Sequence, residues 1–349
     1  MNRFLSLPLA LIIFFAVAAA ASAQETAEAP ADTQAAATAP APAEAPAPAA
    51  ARAGLLPDPP SGNATVTIRI RGLHKGRAMI MDSVPVVGSV KPYRPGQRVR
   101  VSYYLNGKRL FGKNVKVRKG KAGRGRFVSR IRLKRGGKYA ASAKLRAFAG
   151  LRSDSTVRKS WKVNYKAVGY GECSNVVAGF KKALRRMGYV PGGGKCFKGK
   201  TSRAVLAYRK VNNMSRNSHA GKGLVKRAYT GHGGYHVRHP GAGDHVEAPL
   251  GKQVLVFAKG DRPYAIYPIS SGAPSTPTVQ GHFEFGTYTQ PGYNDHGMYY
   301  SYYFYGGYAV HGYHSVPNYP ASHGCLRTFI ADQPEIFKRI YPGLDIFVF

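Results

Sequence analysis

Between Gly62 and Tyr165 apolar residues recur at every second position, and turn-forming residues cut the pattern into short runs. Ala64-Thr65-Val66-Thr67-Ile68-Arg69-Ile70 is one run, and Arg98-Val99-Arg100-Val101-Ser102-Tyr103 is another. Val115-Lys116-Val117, Ile131-Arg132-Leu133, Leu145-Arg146-Ala147-Phe148 and Trp161-Lys162-Val163-Asn164-Tyr165 continue it. A period of two sends successive side chains to opposite faces of an extended chain, so each run buries one face and solvates the other. Arg94-Pro95-Gly96, Asn106-Gly107 and Arg135-Gly136-Gly137 supply the turns.

Short strands with regular turns predict an antiparallel β-sandwich of immunoglobulin-like type over residues 62–165. Its outward positions are rich in Lys and Arg, which also protects strand edges, and no catalytic constellation is visible there. Over residues 166–222 the period changes to 3.6. Val176, Phe180, Leu184 and Met187 share one helix face, with Gly188 placed to end the helix. Thr201 is expected to cap a second helix carrying Ala204, Val205, Tyr208 and Val211. Gly199-Lys200-Thr201 is not a phosphate loop, since the strand and the full glycine spacing are missing. Residues 223–349 read as a mostly-β domain. Asp332 is expected to cap a helix through Ile340 with Pro334 in its first turn, and Asp345 to Phe349 form a last strand.

The apolar run from Leu5 to Ala20, followed by Ala21-Ser22-Ala23, reads as a signal peptide over residues 1–23, with an uncleaved anchor as the alternative. Residues 24–61 are Ala, Pro, Thr and Glu with little to bury, which predicts a disordered linker. An extracytoplasmic location, wall or periplasm, follows.

The formal net charge of +36 is unevenly spread. Residues 61–165 hold 28 basic and two acidic side chains, residues 166–222 hold 13 and one, and residues 223–349 hold nine and eight. Such a field attracts polyanions, and in an exported chain these are anionic wall polymers or lipid head groups rather than nucleic acid. Of the three cysteines, Cys173 and Cys196 lie close enough in sequence for a disulfide, worth roughly 3 kcal/mol, which export favours over two buried thiols. Cys325 is then the odd thiol.

Cys325 stands in Ser322-His323-Gly324-Cys325-Leu326-Arg327, with His311-Gly312 upstream. A thiol attacks as thiolate, and a neighbouring imidazole can take its proton while a third group holds the imidazole's tautomer. Small residues around the thiol let a substrate backbone approach. A zinc cluster of His311, His314, His323 and Cys325 is disfavoured, because Pro317 and Pro320 shape a loop and no helix aligns the histidines. No cofactor is called for. The tyrosines from Tyr299 to Tyr308 are expected on strands, their exposed members lining a groove for glycan or peptide.

Ser-His-Gly-Cys with a following Arg, preceded by His-Gly at a strand end, resembles the L,D-transpeptidase catalytic domain over roughly Tyr235 to Phe349. Lys252 to Phe257 corresponds to its first strand, with Ser270-Ser271-Gly272, Thr276-Pro277 and Gly281-His282-Phe283 matching further segments. Gly281 comes later and the His311–Ser322 loop is shorter than in the commoner pattern. The resemblance implies that Cys325 attacks a peptidoglycan stem peptide, releases the terminal D-alanine, and passes the acyl group to another stem amine in a 3→3 cross-link. It implies His311 as general base, His323 as a residue that orients it, polarises the loop or is purely structural, and Gly324 and Cys325 N–H groups as the oxyanion hole. Arg327 would fix the loop or meet a stem carboxylate, Ser322 would make local hydrogen bonds, and carbapenem-type inhibitors would acylate the thiol. Hydrolysis of the same thioester, as an L,D-carboxypeptidase, and a non-enzymatic wall-binding role are the alternatives. Residues 166–222 likewise resemble the small helical peptidoglycan-binding domain.

Overall fold

The computed structural model describes residues 62–349, and the expected signal peptide and linker lie outside them. The first ten strands are β1 (Thr65–Ile70), β2 (Arg77–Met79), β3 (Ser83–Lys91), β4 (Arg98–Leu105), β5 (Lys108–Lys116), β6 (Arg118–Lys119), β7 (Gly125–Arg132), β8 (Gly137–Leu145), β9 (Asp154–Ser155) and β10 (Lys159–Asn164). They form two sheets, ordered β1-β3-β7-β6 and β2-β10-β8-β4-β5, with β9 paired to β8. In β7 the alternation is strict: Phe127, Ser129 and Ile131 are buried while Arg126, Val128, Arg130 and Arg132 are exposed. The inward residues of both sheets, among them Val86, Val101, Tyr103, Leu145 and Trp161, share one core. Asn106 and Gly107 both adopt left-handed φ (49° and 85°), as the tight β4–β5 hairpin requires. One pairing departs from the expected antiparallel order: β2 runs parallel to β10. Hairpin neighbours must be antiparallel, but β2 reaches the β10 edge from far away in sequence and is free of that constraint.

Three helices follow, α1 (Asn175–Arg186), α2 (Gly199–Val211) and α3 (Lys222–Tyr229). Ser174 caps α1 by accepting from Val177 N at 3.2 Å, and Gly188 at φ 87° ends it. Cys173 and Cys196 are joined in a disulfide. Thr201 is not a cap. Helix α2 is entered from Lys198, three residues earlier, and the buried Thr201 hydroxyl donates to Pro191 O at 2.9 Å. Helix α3 straddles the boundary expected at 222/223 because its apolar face, Leu224, Val225 and Ala228, packs into the same core as α1 and α2.

The remaining elements are β11 (Asp244–Ala248), β12 (Val254–Lys259), β13 (Arg262–Pro268), β14 (Gly281–Glu284), β15 (Thr289–Tyr293), β16 (Tyr299–Tyr305), β17 (Tyr308–Tyr313), β18 (Leu326–Phe329), α4 (Gln333–Phe337) and β19 (Asp345–Val348). They build a sheet β13-β12-β11-β19-β14 and a sheet β15-β16-β17-β18. The run expected as a first strand is preceded by β11, and it is nearly all apolar because β12 is buried on both faces. Leu255 and Phe257 face the core between the two sheets, whereas Val254 and Val256, with Ile266, join the helices' core. The helices thus close one side of the sheet β13-β12-β11-β19-β14 and share a core with it.

Polar ties reinforce that seam. Arg203 grips Asp332 with two bonds of 2.5 and 2.7 Å, and Lys200 pairs with Glu335. Asp332 holds the N-cap position of α4 but makes no side-chain cap, since its carboxylate is spent on Arg203. Lys210, 2% exposed, donates from Nζ to Ile269 O at 2.7 Å, and burial pulls its ammonium down to about 7. No helix among the described residues is long and apolar enough to cross a membrane.

Candidate active site

Strands β17 and β18 are parallel, with Val310 opposite Leu326 and His311 opposite Arg327. Paired residues in a parallel ladder share a face and successive residues alternate. Val310 and Leu326 point into the core, so His311 and Arg327 lie on the other face. Cys325, one residue before Leu326, falls on that second face beside Ala309. Tyr303 of β16 pairs with Ala309 on its far side, and the Ala309 N–H reaches the Cys325 thiol. The topology therefore brings the predicted nucleophile and base to one face, two residues out of register.

His311 is 2% exposed. Its Nδ1 lies 3.0 Å from Gly312 O. A carbonyl only accepts, so Nδ1 carries the proton and Nε2 is left as the basic nitrogen. Burial pulls the imidazole down to about 4; the Gly312 carbonyl opposes this and the Arg327 charge adds to it. His311 is thus neutral at pH 7, as a base must be. A Cβ on Gly312 would lie 3.0 Å from Gln333 Cβ and 3.2 Å from Ile330 Cα, so any larger residue requires those neighbours to give by a few tenths of an ångström.

Cys325 is the free cysteine. Burial pushes its thiol up, partly offset by the Ala309 N–H and by Arg327. At rest the thiol donates to Gly307 O at 3.6 Å. The resting pair is therefore neutral thiol and neutral imidazole, and proton transfer to Nε2 accompanies attack.

Hydroxyl groups fix the loop that carries the thiol. Ser322 Oγ donates to Cys325 O at 2.5 Å and accepts from Gly324 N at 3.1 Å. Thr276 Oγ1 donates to Ser322 O at 2.9 Å and Thr278 Oγ1 to Gly324 O at 2.6 Å. Backbone bonds from Ala321 N and Ser322 N to Ser271 O, and from Ala273 N to Ser322 O, complete the seat. Gly324 sits at φ 119° with Tyr308 against it, so a Cβ would come within 2.7 Å of that ring. Its N–H, expected to face the oxyanion, donates to Ser322 in this resting state.

Arg327 donates from Nη1 to Ala321 O at 3.1 Å and lies over the Tyr313 ring at 4.1 Å, so it ties the two ends of the loop together. His323 is exposed, and its side chain makes no hydrogen bond or ring contact among the described residues. It does not orient His311, whose Nδ1 partner is the Gly312 carbonyl. His314 is exposed with its ring against Tyr313, and the described residues contain no group of three or more metal-ligating side chains. Of the tyrosine run, Tyr302 is buried and Tyr305 exposed, with Tyr303 half-buried beneath Tyr288 and donating to Gln290 Oε1.

Sequence reasoning missed Thr278, Gln253 and Arg216. Gln253 donates to Ser271 Oγ and accepts from Ser271 N, steadying the segment on which the loop rests. Arg216 donates to Asn318 O and Gly251 O, each at 2.8 Å, and Asn318 donates back to Arg216 O. No local pattern announces such partners; only the resemblance marked the neighbouring Thr276-Pro277.

Residues 243–348 match the YkuD family, the L,D-transpeptidase catalytic domain. No curated protein matches the chain. Among solved structures, the L,D-transpeptidase of Xylanimonas cellulosilytica is 26% identical over 53% of this chain and 98% of its own, with a TM-score of 0.48. That of Stackebrandtia nassauensis is 15% identical over 53% and 96%, with a TM-score of 0.32. The catalytic domain of the E. faecium enzyme acylated by ertapenem is 27% identical over 31% and 98%, with a TM-score of 0.25. The C-terminal part of this chain is an L,D-transpeptidase catalytic domain of the YkuD family.

Proposed function

We propose that this chain is an exported peptidoglycan L,D-transpeptidase that forms 3→3 cross-links through a Cys325 thioester. The observation that carries the reading is the β17–β18 pair, which holds an imidazole whose Nδ1–H is fixed and whose Nε2 is left basic, with a free thiol one residue before β18 and Arg327 acting on both. In the first step Nε2 of His311 takes the thiol proton as sulfur bonds to the carbonyl carbon between the third and fourth stem residues. The tetrahedral oxygen is held by the Cys325 N–H. Collapse breaks the carbon–nitrogen bond, and the imidazolium returns its proton to the departing D-alanine amine. In the second step a stem side-chain amine attacks the thioester, His311 accepts its proton, and sulfur leaves as thiolate and is reprotonated. The dry surroundings of His311 favour the amine over water by limiting solvent at the base.

A strained β-lactam carbonyl offers the same thiol a stable acyl group, so carbapenem-type compounds act as inhibitors. The anionic partner of the basic modules is wall polymer or lipid head group, and the protein works outside the cytoplasmic membrane.

Mass analysis of products from the purified mature protein and tetrapeptide-stem fragments tests the reading. Dimers linked 3→3, absent with Cys325→Ala, are expected. Tripeptides alone would assign the enzyme to hydrolysis, and dimers formed by Cys325→Ala would remove the thioester.

A further inference from the structure

The outer face of the sheet β1-β3-β7 forms a trough of about 1080 Å³. Its floor is small: Thr65 and Thr67 of β1, Val87 and Ser89 of β3, and Val128 of β7. Cations stand around that floor. Lys121, Arg124 and Arg126 lie at the β6–β7 edge, Arg69, Arg71 and Lys159 at the β1 edge, and Lys91 at the end of β3. All seven are exposed, and among the described residues none is paired with a carboxylate. Both acidic side chains of the sandwich are already engaged by backbone: Asp154 accepts from Val66 N at 2.6 Å and Asp82 from Met79 N at 2.7 Å. Two exposed valines, Val128 at 51% and Val157 at 74%, also line the trough, and solubility has no use for them.

From this arrangement we infer that the trough binds one chain of a linear phosphodiester-linked polyol. Four of the seven cations are arginines, whose planar forks match phosphate oxygens. Threonine and serine hydroxyls on the floor suit a polyol, and the valines suit its methylene edges. Single-stranded nucleic acid needs aromatic platforms for its bases, but the one aromatic lining residue, Phe127, is 3% exposed. A flat bilayer meets the rims of a concave trough and leaves its floor empty. The inference deepens the wall-facing reading above by naming the partner, and it rests on that reading only for where such a polymer is met.

Purified mature protein titrated with lipid-free poly(glycerol phosphate) tests it, so that failure here leaves the transpeptidase assay untouched. The trough variant Arg69→Gln, Lys91→Gln, Arg126→Gln is compared with an equal charge loss on β5, Lys108→Gln, Arg109→Gln, Lys116→Gln. All six positions are exposed, and circular dichroism checks that both variants fold. The trough variant is expected to bind at least about tenfold more weakly, from three lost phosphate contacts, with a shallower salt dependence, and the β5 variant to change less than about threefold. Equal losses in the two variants, or no loss in either, would mean diffuse attraction without a site. Tighter binding to phosphatidylglycerol vesicles or to oligo(dT) than to the polymer would also overturn the assignment.

Discussion

Arg327 stands directly opposite His311 in the β17–β18 ladder and two residues beyond Cys325, so one guanidinium faces both reacting groups. Its charge disfavours imidazolium and favours thiolate, lowering both groups' pKa. Replacing it by methionine is expected to move both upward. The His311 ring resonances should titrate at higher pH by NMR, and alkylation of Cys325 by iodoacetamide should require more alkaline solution. Unchanged titration of both groups would confine Arg327 to its bonds with Ala321 and Tyr313.

The depressed His311 pKa sets the acid limb of the reaction. Acylation by a carbapenem is expected to stay level from pH 7 to about 5 and to fall only near 4, where the imidazole gains its proton. His311→Gln should lower the rate by roughly two to four orders of magnitude. An acid limb near the ordinary histidine value of 6.5 would place the base elsewhere.

The same group makes the fold acid-sensitive. Below 6.5 the unfolded chain binds a proton that the folded chain refuses until about 4, so stability is full above 6.5 and falls as pH drops through that window. The loss is up to roughly 3 kcal/mol. Denaturant unfolding of wild type and His311→Gln at pH 7 and pH 4.5 should show a smaller drop in the variant.

Ser322 spends its hydroxyl on Cys325 O and Gly324 N. Ser322→Ala is expected to cost about 1 kcal/mol of stability and, by loosening the thiol's loop, to slow acylation tenfold or more. Thr278→Val should behave alike, since it releases Gly324 O and Gly272 N. A faster Ser322→Ala enzyme would show instead that the freed Gly324 N–H serves the oxyanion.

Because Val254, Val256 and Ile266 pack against the helices, a fragment starting at Gly223 would expose them and is expected to aggregate or lose near-UV circular dichroism. A fragment starting at Val168 should keep acylation by a carbapenem. At the same seam, Arg216→Ala and Asn318→Ala should each slow acylation, with the double variant little worse than either. Fully additive losses would separate the two residues.

The elements easiest to read from sequence were those specified by their own residues. Alternation marked β1, β4, β7 and β10, and the Val176–Phe180–Leu184 face marked α1, because burial there follows directly from the repeat. The motif that marks Cys325 and His311 as the proposed thiol and base was legible as a short stretch of sequence, and the fold sets them at two paired strands. What escaped was decided by partners distant in sequence. Thr201 and Asp332 looked like caps, but Pro191 O and Arg203 claim their side chains. The bond that Gly324 N–H gives to Ser322 at rest is likewise unmarked in the sequence. The two-faced burial of β12 shows only once the helices are placed against it.

Alongside the Arg327 and Arg216 guanidinium groups, the nucleophile's loop is seated by five uncharged side chains, Ser270, Thr276, Thr278, Ser322 and Gln253, whose bonds end on peptide groups or on a neighbouring hydroxyl. None of these five gains or loses a proton in the range where proteins survive, and none depends on an ion atmosphere. Acid or salt can change the charges on His311 and across the basic strands, while these five bonds around Cys325 stay as they were. An enzyme assembled this way tolerates swings in its surroundings as reversible changes in rate, with its geometry intact when conditions return.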